Sequence, residues 1–154
     1  MAESQAANVV AIVQARTGSA RLPNKSMRIL HGIPIIEWVY RRMKQLKHTD
    51  RLIFAIPESS RDDELAAFLN KLGAHVYRGS ELDVLDRFYQ AVRNENSDWI
   101  VRVTSDCPLI DPILVDKLIN FAHSNNRDYC SNILIENFPD GQDIEVFKYS
   151  ALEI

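Results

Sequence analysis

Short apolar runs alternate with longer amphipathic segments along this chain. Mostly apolar runs occupy residues 9–13, 52–56 and 99–103, and a shorter one occupies residues 75–77. Such runs are typical of strands that are buried on both faces of a parallel sheet. We therefore predict strands at these four positions.

Between the strands, apolar residues recur at helical spacing. Four stripes predict four helices, with inward positions Ile35, Trp38, Val39, Arg42, Met43 and Leu46 in the first, Leu65, Phe68, Leu69 and Leu72 in the second, Leu82, Leu85, Phe88, Tyr89 and Val92 in the third, and Leu114, Leu118 and Phe121 in the fourth. The first should start at Pro34, the second should stop at Gly73, and Asp111 should cap the fourth ahead of Pro112.

This alternation predicts an α/β fold with a mainly parallel central sheet and helices on both faces. Residues 144–147 predict a further strand, and residues 149–154 predict the start of a helix. We expect a flexible tail at residues 1–8 and one domain at residues 9–154. Because an isolated helical turn is marginal by itself, we expect this domain to be the N-terminal part of a longer chain. Ligands of such sheets bind beyond the carboxyl ends of the strands.

Composition narrows the possible functions. The 154 residues are 46% hydrophobic and 25% charged, which is typical of a globular domain rather than a disordered chain. A net charge of −3 argues against a nucleic-acid-binding surface. The sequence shows neither a bilayer-spanning apolar stretch nor a signal peptide. Its two cysteines lack C-x-x-C spacing, so we expect reduced thiols and a cytoplasmic protein.

The segment from Gln14 to Lys25 directly follows the first predicted strand and concentrates groups that bind phosphate. It contains Arg16, Arg21 and Lys25, with two hydroxyl side chains and Gly18 between them. Cations, hydroxyl donors and a closely approaching backbone are what a phosphate site requires. The segment is neither a Walker A loop nor a dinucleotide fingerprint. Solvated surface charge is the alternative interpretation, against which its place after a buried strand counts.

A second candidate segment, Thr104 to Pro108, follows the third long strand. Asp106 lies in it and is a candidate ligand for Mg²⁺, since triphosphate chemistry needs a carboxylate that holds the metal. Its alternative role is that of a turn residue. Asp143 follows a turn at Asp140–Gly141, and a metal or sugar contact and a structural role are both open for it. We predict no zinc site at the four scattered histidines and a packing role for Cys107.

Four segments in a fixed order resemble the cytidylyltransferases that activate sugars. They are Ala15-Arg16-x-x-Ser19-x-Arg21-Leu22-Pro23-x-Lys25, residues 83–88 (DVLDRF), residues 104–111 (TSDCPLID) and residues 141–147 (GQDIEVF). The chain is similar to acylneuraminate and 3-deoxy-manno-octulosonate cytidylyltransferases, and most of all to the spore-coat polysaccharide branch of that family. The resemblance covers residues 9–154.

The resemblance implies a Rossmann-like nucleotide-diphospho-sugar transferase fold. It implies a reaction in which a sugar hydroxyl attacks the α-phosphate of CTP and releases pyrophosphate with the help of Mg²⁺, in surface polysaccharide biosynthesis. Arg21, Lys25 and Asp106 would be catalytic, and Asp106 would hold the metal. Nucleotide binding would fall to Ala15, Arg16, Gly18, Ser19, Arg21, Lys25 and Ser105, and sugar or nucleotide contacts to Asp86, Arg87 and Asp143.

Two departures from the family pattern bear on the substrate. Gln14 stands where sialic-acid and octulosonate enzymes have proline, and Ala20–Arg21 replaces a Lys-Gly pair of the sialic-acid enzymes, which counts against sialic acid itself. A sialic-acid-like or other acidic sugar is the expected acceptor, and the family implies a possible homodimer. The alternatives are a nucleotide-binding module without catalysis, a nucleotidyltransferase for another base, and a glycosyltransferase of similar fold, although the Asp-x-Asp triplet of many glycosyltransferases is missing.

Overall fold

The computed structural model describes residues 7–19, 22–133 and 138–153. Its strands are β1 (Val9–Gln14), β2 (Ile29–Leu30), β3 (Ile33–Pro34), β4 (Arg51–Pro57), β5 (His75–Gly79), β6 (Trp99–Thr104), β7 (Tyr129–Ser131) and β8 (Glu145–Lys148). Six of them form one sheet in the order β5-β4-β1-β6-β8-β7, and β2 and β3 form a separate hairpin.

The central part of the large sheet is parallel. β1 pairs in parallel with β4 and β6, and β4 pairs in parallel with β5, whereas β8 runs antiparallel to both β6 and β7. The four predicted strands and the strand near residues 144–147 are confirmed. The sequence analysis missed β7 and the small hairpin, because strands of two or three residues are too short to show a periodic pattern.

Four helices cover the sheet: α1 (Ile35–Met43), α2 (Asp63–Lys71), α3 (Val84–Val92) and α4 (Pro112–Ser124). α1, α2 and α4 pack on one face, against alternate residues of β1 such as Ala11 and Val13. α3 packs on the other face, against Val10 and Ile12. The predicted α/β fold with helices on both faces is confirmed. No helix in the described ranges has the length and hydropathy needed to cross a bilayer.

The predicted inward face of α3 is wrong at two positions. Leu82 is 95% exposed and Leu85 is 59% exposed. The helix begins only at Val84, because the Asp83 side chain accepts a hydrogen bond from the backbone of Asp86 and so caps the first turn. Leu82 therefore precedes the helix, and the buried positions of α3 are Arg87, Phe88, Ala91 and Val92.

The termini of the other helices follow the sequence, but their faces differ in part. Asp111 caps α4 through the backbone N–H of Ile113 at 2.9 Å, and Gly73 ends α2 with a φ of +76°. In α4, however, Phe121 is 54% exposed, and the buried positions are Val115, Ile119 and Ala122. In α1 the fully buried residues are Ile36, Val39 and Met43. Tyr149–Ala151 form a single 3-10 turn where the start of a helix was predicted.

Candidate functional site

A cleft of about 780 Å³ opens beyond the carboxyl ends of β1 and β6. Its walls come from the loop after β1, the loop after β6 and the segment that leads into β8. The lining residues are Gln14, Ala15, Arg16, Ser19, Leu22, Lys25, Arg102, Thr104, Ser105, Asp106, Cys107, Pro108, Leu109, Asp140, Gly141 and Asp143. This is the edge at which open α/β sheets bind their ligands.

The cleft brings together most of the predicted site residues. Seven of them line it: Ala15, Arg16, Ser19, Lys25, Ser105, Asp106 and Asp143. Gly18 lies in the same loop but does not line the cleft, and Arg21 lies outside the described residues.

Asp86 and Arg87 lie outside the cleft lining. The Asp86 side chain is exposed on the first turn of α3 and accepts a hydrogen bond from Gln90 at 3.1 Å. Arg87 is only 1% exposed, and its guanidinium donates to the carbonyl of Ser80. The two neighbours on α3 therefore differ in kind, since one is a solvent-facing charge and the other is a buried cation.

Lys25 and Asp106 form an ion pair that joins the two loops across the cleft. Both side chains remain accessible, at 26% and 36% exposure. Burial alone would raise the pKa of the Asp106 carboxyl, but hydrogen bonds from Lys25 and Thr104, together with the Lys25 charge, outweigh burial and hold that pKa below its usual value. Asp106 is therefore an anion at neutral pH, as a metal ligand must be.

Two serines fix the spacing of the same loops. The hydroxyls of Ser26 and Ser105 lie 2.8 Å apart in a buried position, and the backbone N–H of Ser105 donates to the carbonyl of Gln14 at 3.0 Å. The hydroxyl of Ser105 is thus engaged inside the protein. Burial raises the pKa of the neighbouring Cys107 thiol, so that thiol stays protonated, in keeping with the predicted packing role.

A polar network at the cleft floor was not predicted from the sequence. Arg102 donates two hydrogen bonds to the side-chain oxygen of Gln14, at 3.1 and 2.8 Å, and forms an ion pair with Glu145. Glu145 also accepts from the hydroxyl of Tyr129 at 2.8 Å. Alternation along residues 144–146 would place Glu145 on an exposed face, but its carboxylate is largely buried because it neutralises an arginine that an apolar strand brings into the sheet.

The Gln14–Arg102 contact determines what the cleft floor can offer a ligand. Because the Gln14 oxygen accepts both Arg102 bonds, the amide nitrogen of Gln14 remains as a hydrogen-bond donor. The signal that could have identified Arg102 is its place within an otherwise apolar strand, since a cation there requires a partner.

The acidic wall of the cleft is held by one amide side chain. The Gln142 amide donates to the carbonyl of Leu109 at 2.6 Å and accepts from the backbone N–H of Asp111 at 2.9 Å. Gly141 has a φ of +86°, and the backbone N–H of Gln142 donates to the carbonyl of Pro139 at 3.2 Å, as expected of the predicted turn. This arrangement holds the segment that carries Asp143, which lines the cleft.

The cleft fits a magnesium ion only when the ion is shared with a ligand. Within the described ranges, no three His, Cys, Asp or Glu side chains come together as a metal cage. Mg²⁺ in phosphate chemistry, however, binds one or two carboxylates, substrate phosphates and water. Asp106 is the carboxylate that stands beside the cationic loop, so it fits that kind of site.

Comparisons with known proteins agree on one family. A family model described as cytidylyltransferase matches residues 10–152. The spore coat polysaccharide biosynthesis protein SpsF of Bacillus subtilis is 36% identical over 79% of this chain and 52% of its own length. The 3-deoxy-manno-octulosonate cytidylyltransferase of Rickettsia massiliae is 30% identical over 82% of this chain and 52% of its own length. The chain thus spans about half the length of these curated relatives.

A solved structure agrees with the observed fold. A cytidylyltransferase from Leptospira borgpetersenii serovar Hardjo-bovis is 34% identical and superposes with a TM-score of 0.90, covering 96% of this chain and 63% of that protein. The cleft described above therefore lies in a fold that a characterised family shares.

Proposed function

This chain belongs to the cytidylyltransferase family, and from that premise we propose that its cleft binds CTP and transfers CMP to a sugar with release of pyrophosphate. The observation that carries the proposal is the single cleft that holds Arg16 and Lys25 on one loop and the carboxylate of Asp106 on the next. A triphosphate needs the cations, and its metal needs the carboxylate.

The loop after β1 would bind the triphosphate. Arg16 is exposed at the cleft, Ser19 offers a hydroxyl, and Lys25 carries a compact charge on a flexible stem. Arg21 is proposed to join them as a fourth phosphate contact. Hydrogen bonds between such ionised groups are about twice as strong as neutral ones, so this loop would supply much of the affinity for the nucleotide.

Asp106 is proposed to hold Mg²⁺, which would supply charge neutralisation for the leaving pyrophosphate. Asp106 must then exchange its contact with Lys25 for the metal, and Lys25 becomes free to contact a phosphate oxygen. Catalysis would rest on positioning and electrostatics, without a covalent intermediate.

The sugar is proposed to occupy the other half of the cleft, over Gln14, Arg102 and Thr104. The donors there suit the hydroxyl and carboxylate oxygens of an acidic sugar. The two named relatives are a spore coat polysaccharide protein and an octulosonate cytidylyltransferase. We therefore propose an acidic sugar as acceptor, and a role in surface polysaccharide biosynthesis. A cytoplasmic site for the reaction is proposed as well, in keeping with the two free cysteines.

The test is a pyrophosphate-release assay with CTP, Mg²⁺ and a panel of acidic sugars that includes 3-deoxy-manno-octulosonate, run beside a thermal-shift panel of CTP, UTP, GTP and ATP. We expect CTP to stabilise the fold most and pyrophosphate to form only when sugar is present. Binding of CTP without release of pyrophosphate would instead indicate a nucleotide-binding module without catalysis. Preference for another nucleotide would contradict the assignment to CTP.

A further inference from the structure

Thr17 lies near the start of the loop after β1 and holds that loop together. Its carbonyl accepts hydrogen bonds from the backbone N–H groups of Ser19 at 2.8 Å and Asn24 at 3.0 Å. Its own N–H donates to Oδ1 of Asp62 at 2.7 Å, and its hydroxyl lies 3.0 Å from that oxygen and 3.0 Å from the carbonyl oxygen of Arg61. Thr17 therefore ties both ends of the loop to a residue that follows the neighbouring strand, β4.

Asp62 is a buried carboxylate. It is 2% exposed and ends the 3-10 turn of Ser60–Asp62 that leads into α2. A buried charge is costly unless hydrogen bonds and an opposite charge compensate it. The N–H of Thr17 supplies one hydrogen bond, and its hydroxyl is shared between Asp62 and the carbonyl of Arg61. The position of Asp62 is fixed by its own backbone N–H, which donates to the carbonyl of Ser59 at 2.9 Å.

Arg87 is a buried cation on α3. Its stem passes Gly79 so closely that a Cβ built there would lie 3.2 Å from Cγ of Arg87 and 2.7 Å from the ring of Tyr77. Burial lowers the pKa of Arg87, the charge of Arg16 lowers it further, and the charge of Asp62 raises it. The guanidinium donates to the carbonyl of Ser80 from this buried position.

We propose that Asp62 and Thr17 are positioning residues that set the phosphate-binding conformation of residues 16–19 and 22–25, in the loop after β1, before any ligand arrives. A loop that is fixed in advance does not lose its conformational freedom when the phosphates bind. The part of this inference that concerns ligand affinity rests on the proposed function, whereas the ordering of the loop does not.

The first test needs no ligand. Amide hydrogen exchange is measured over residues 16–25 in the wild type, Asp62→Ala and the matched control Asp63→Ala. Asp63 is the adjacent exposed carboxylate, which pairs with Arg78 at 2.7 Å and, among the described residues of the loop, has no hydrogen-bond partner. We expect exchange in the loop to accelerate on the order of tenfold in Asp62→Ala alone. Equal rates in all three proteins would overturn the inference.

The second test measures affinity and guards against a variant that does not fold. Thr17→Val removes the hydroxyl at constant shape, and Thr17→Ser restores it. With Mg²⁺ and inorganic tripolyphosphate as the calorimetric probe, and each protein kept well below its own melting temperature, we expect Thr17→Val to bind about tenfold more weakly and Thr17→Ser to recover to within about twofold. Unchanged affinity in Thr17→Val would overturn the positioning role. If the wild type binds neither tripolyphosphate nor CTP, the proposed function fails, and hydrogen exchange in Thr17→Val and Asp62→Ala still decides whether the loop is held in this way.

Discussion

Lys25 and Asp106 contact each other across the cleft although 81 positions separate them in the chain. Each side chain would exchange its partner for a ligand of the same charge sign, because Lys25 is proposed to bind phosphate and Asp106 a metal ion. The ion pair keeps both charges accessible in the absence of substrate, at 26% and 36% exposure. Binding of metal and of nucleotide should therefore depend on each other.

The dependence is tested by removing the cation. Lys25→Met should weaken CTP binding by about tenfold or more, since a hydrogen bond to a charged group is worth about 1.5–3 kcal/mol. The same variant should bind Mn²⁺ more tightly than the wild type when no nucleotide is present, because Asp106 has lost its competing partner. Mn²⁺ titration followed by electron paramagnetic resonance measures the second effect. Equal metal affinity in both proteins would show that the ion pair does not compete with the metal.

The same pair should make stability depend on pH in the acid range. The pKa of Asp106 is lowered in the folded protein, so its contribution to stability is present above the pKa of the unfolded chain and is lost as the pH falls through the folded value. The difference in melting temperature between wild type and Asp106→Asn should therefore shrink as the pH falls from about 6 to about 3. A difference that stays constant over that range would mean that the folded pKa is not lowered.

Arg102 should matter for stability through the carboxylate it neutralises. Arg102→Met leaves Glu145, with 19% of its side chain exposed, without its cation. We expect the free energy of unfolding to fall by about 2 kcal/mol in urea titrations. The double variant Arg102→Met/Glu145→Leu serves as the control and should regain most of that loss. A single variant as stable as the wild type would contradict the view that Glu145 needs this partner.

Gly18 offers a test of close backbone approach. Among the residues that the structure describes, a Cβ built there would meet the Arg61 guanidinium alone, at an ordinary contact distance of 3.7 Å. Gly18→Ala should therefore leave the melting temperature unchanged. It should weaken CTP binding, because the proposed triphosphate contact brings the ligand close to this backbone. Calorimetry and thermal unfolding on the same protein separate the two effects. Unchanged CTP affinity would show that the backbone at Gly18 is not approached.

The sequence predicted the strands and loops that carry the site better than the side-chain contacts between them. Continuous apolar runs located the parallel strands, and the topology of a parallel sheet then placed Lys25 and Asp106 at one edge. Asp62 was not recognised, because an aspartate before a helix has an ordinary local explanation, and its burial depends on contacts with residues far along the chain. Arg87 was expected to contact a ligand, and the sequence did not reveal that its guanidinium is buried and donates to the carbonyl of Ser80.

Helix faces and the cleft floor show the same limit. Leu82 and Leu85 fit a helical stripe by spacing, but the Asp83 cap starts the helix only at Val84 and so decides which residues turn inward. The bond between Arg102 and Gln14 crosses two strands whose register the sequence does not reveal.

A crystal structure determined after soaking with CTP and Mg²⁺ tests the central claim most directly. The account predicts triphosphate density against Arg16 and Lys25, with a metal ion bound to Asp106 and the ion pair between Lys25 and Asp106 opened. Nucleotide density elsewhere on the molecule, or an unchanged ion pair beneath bound CTP, would contradict it.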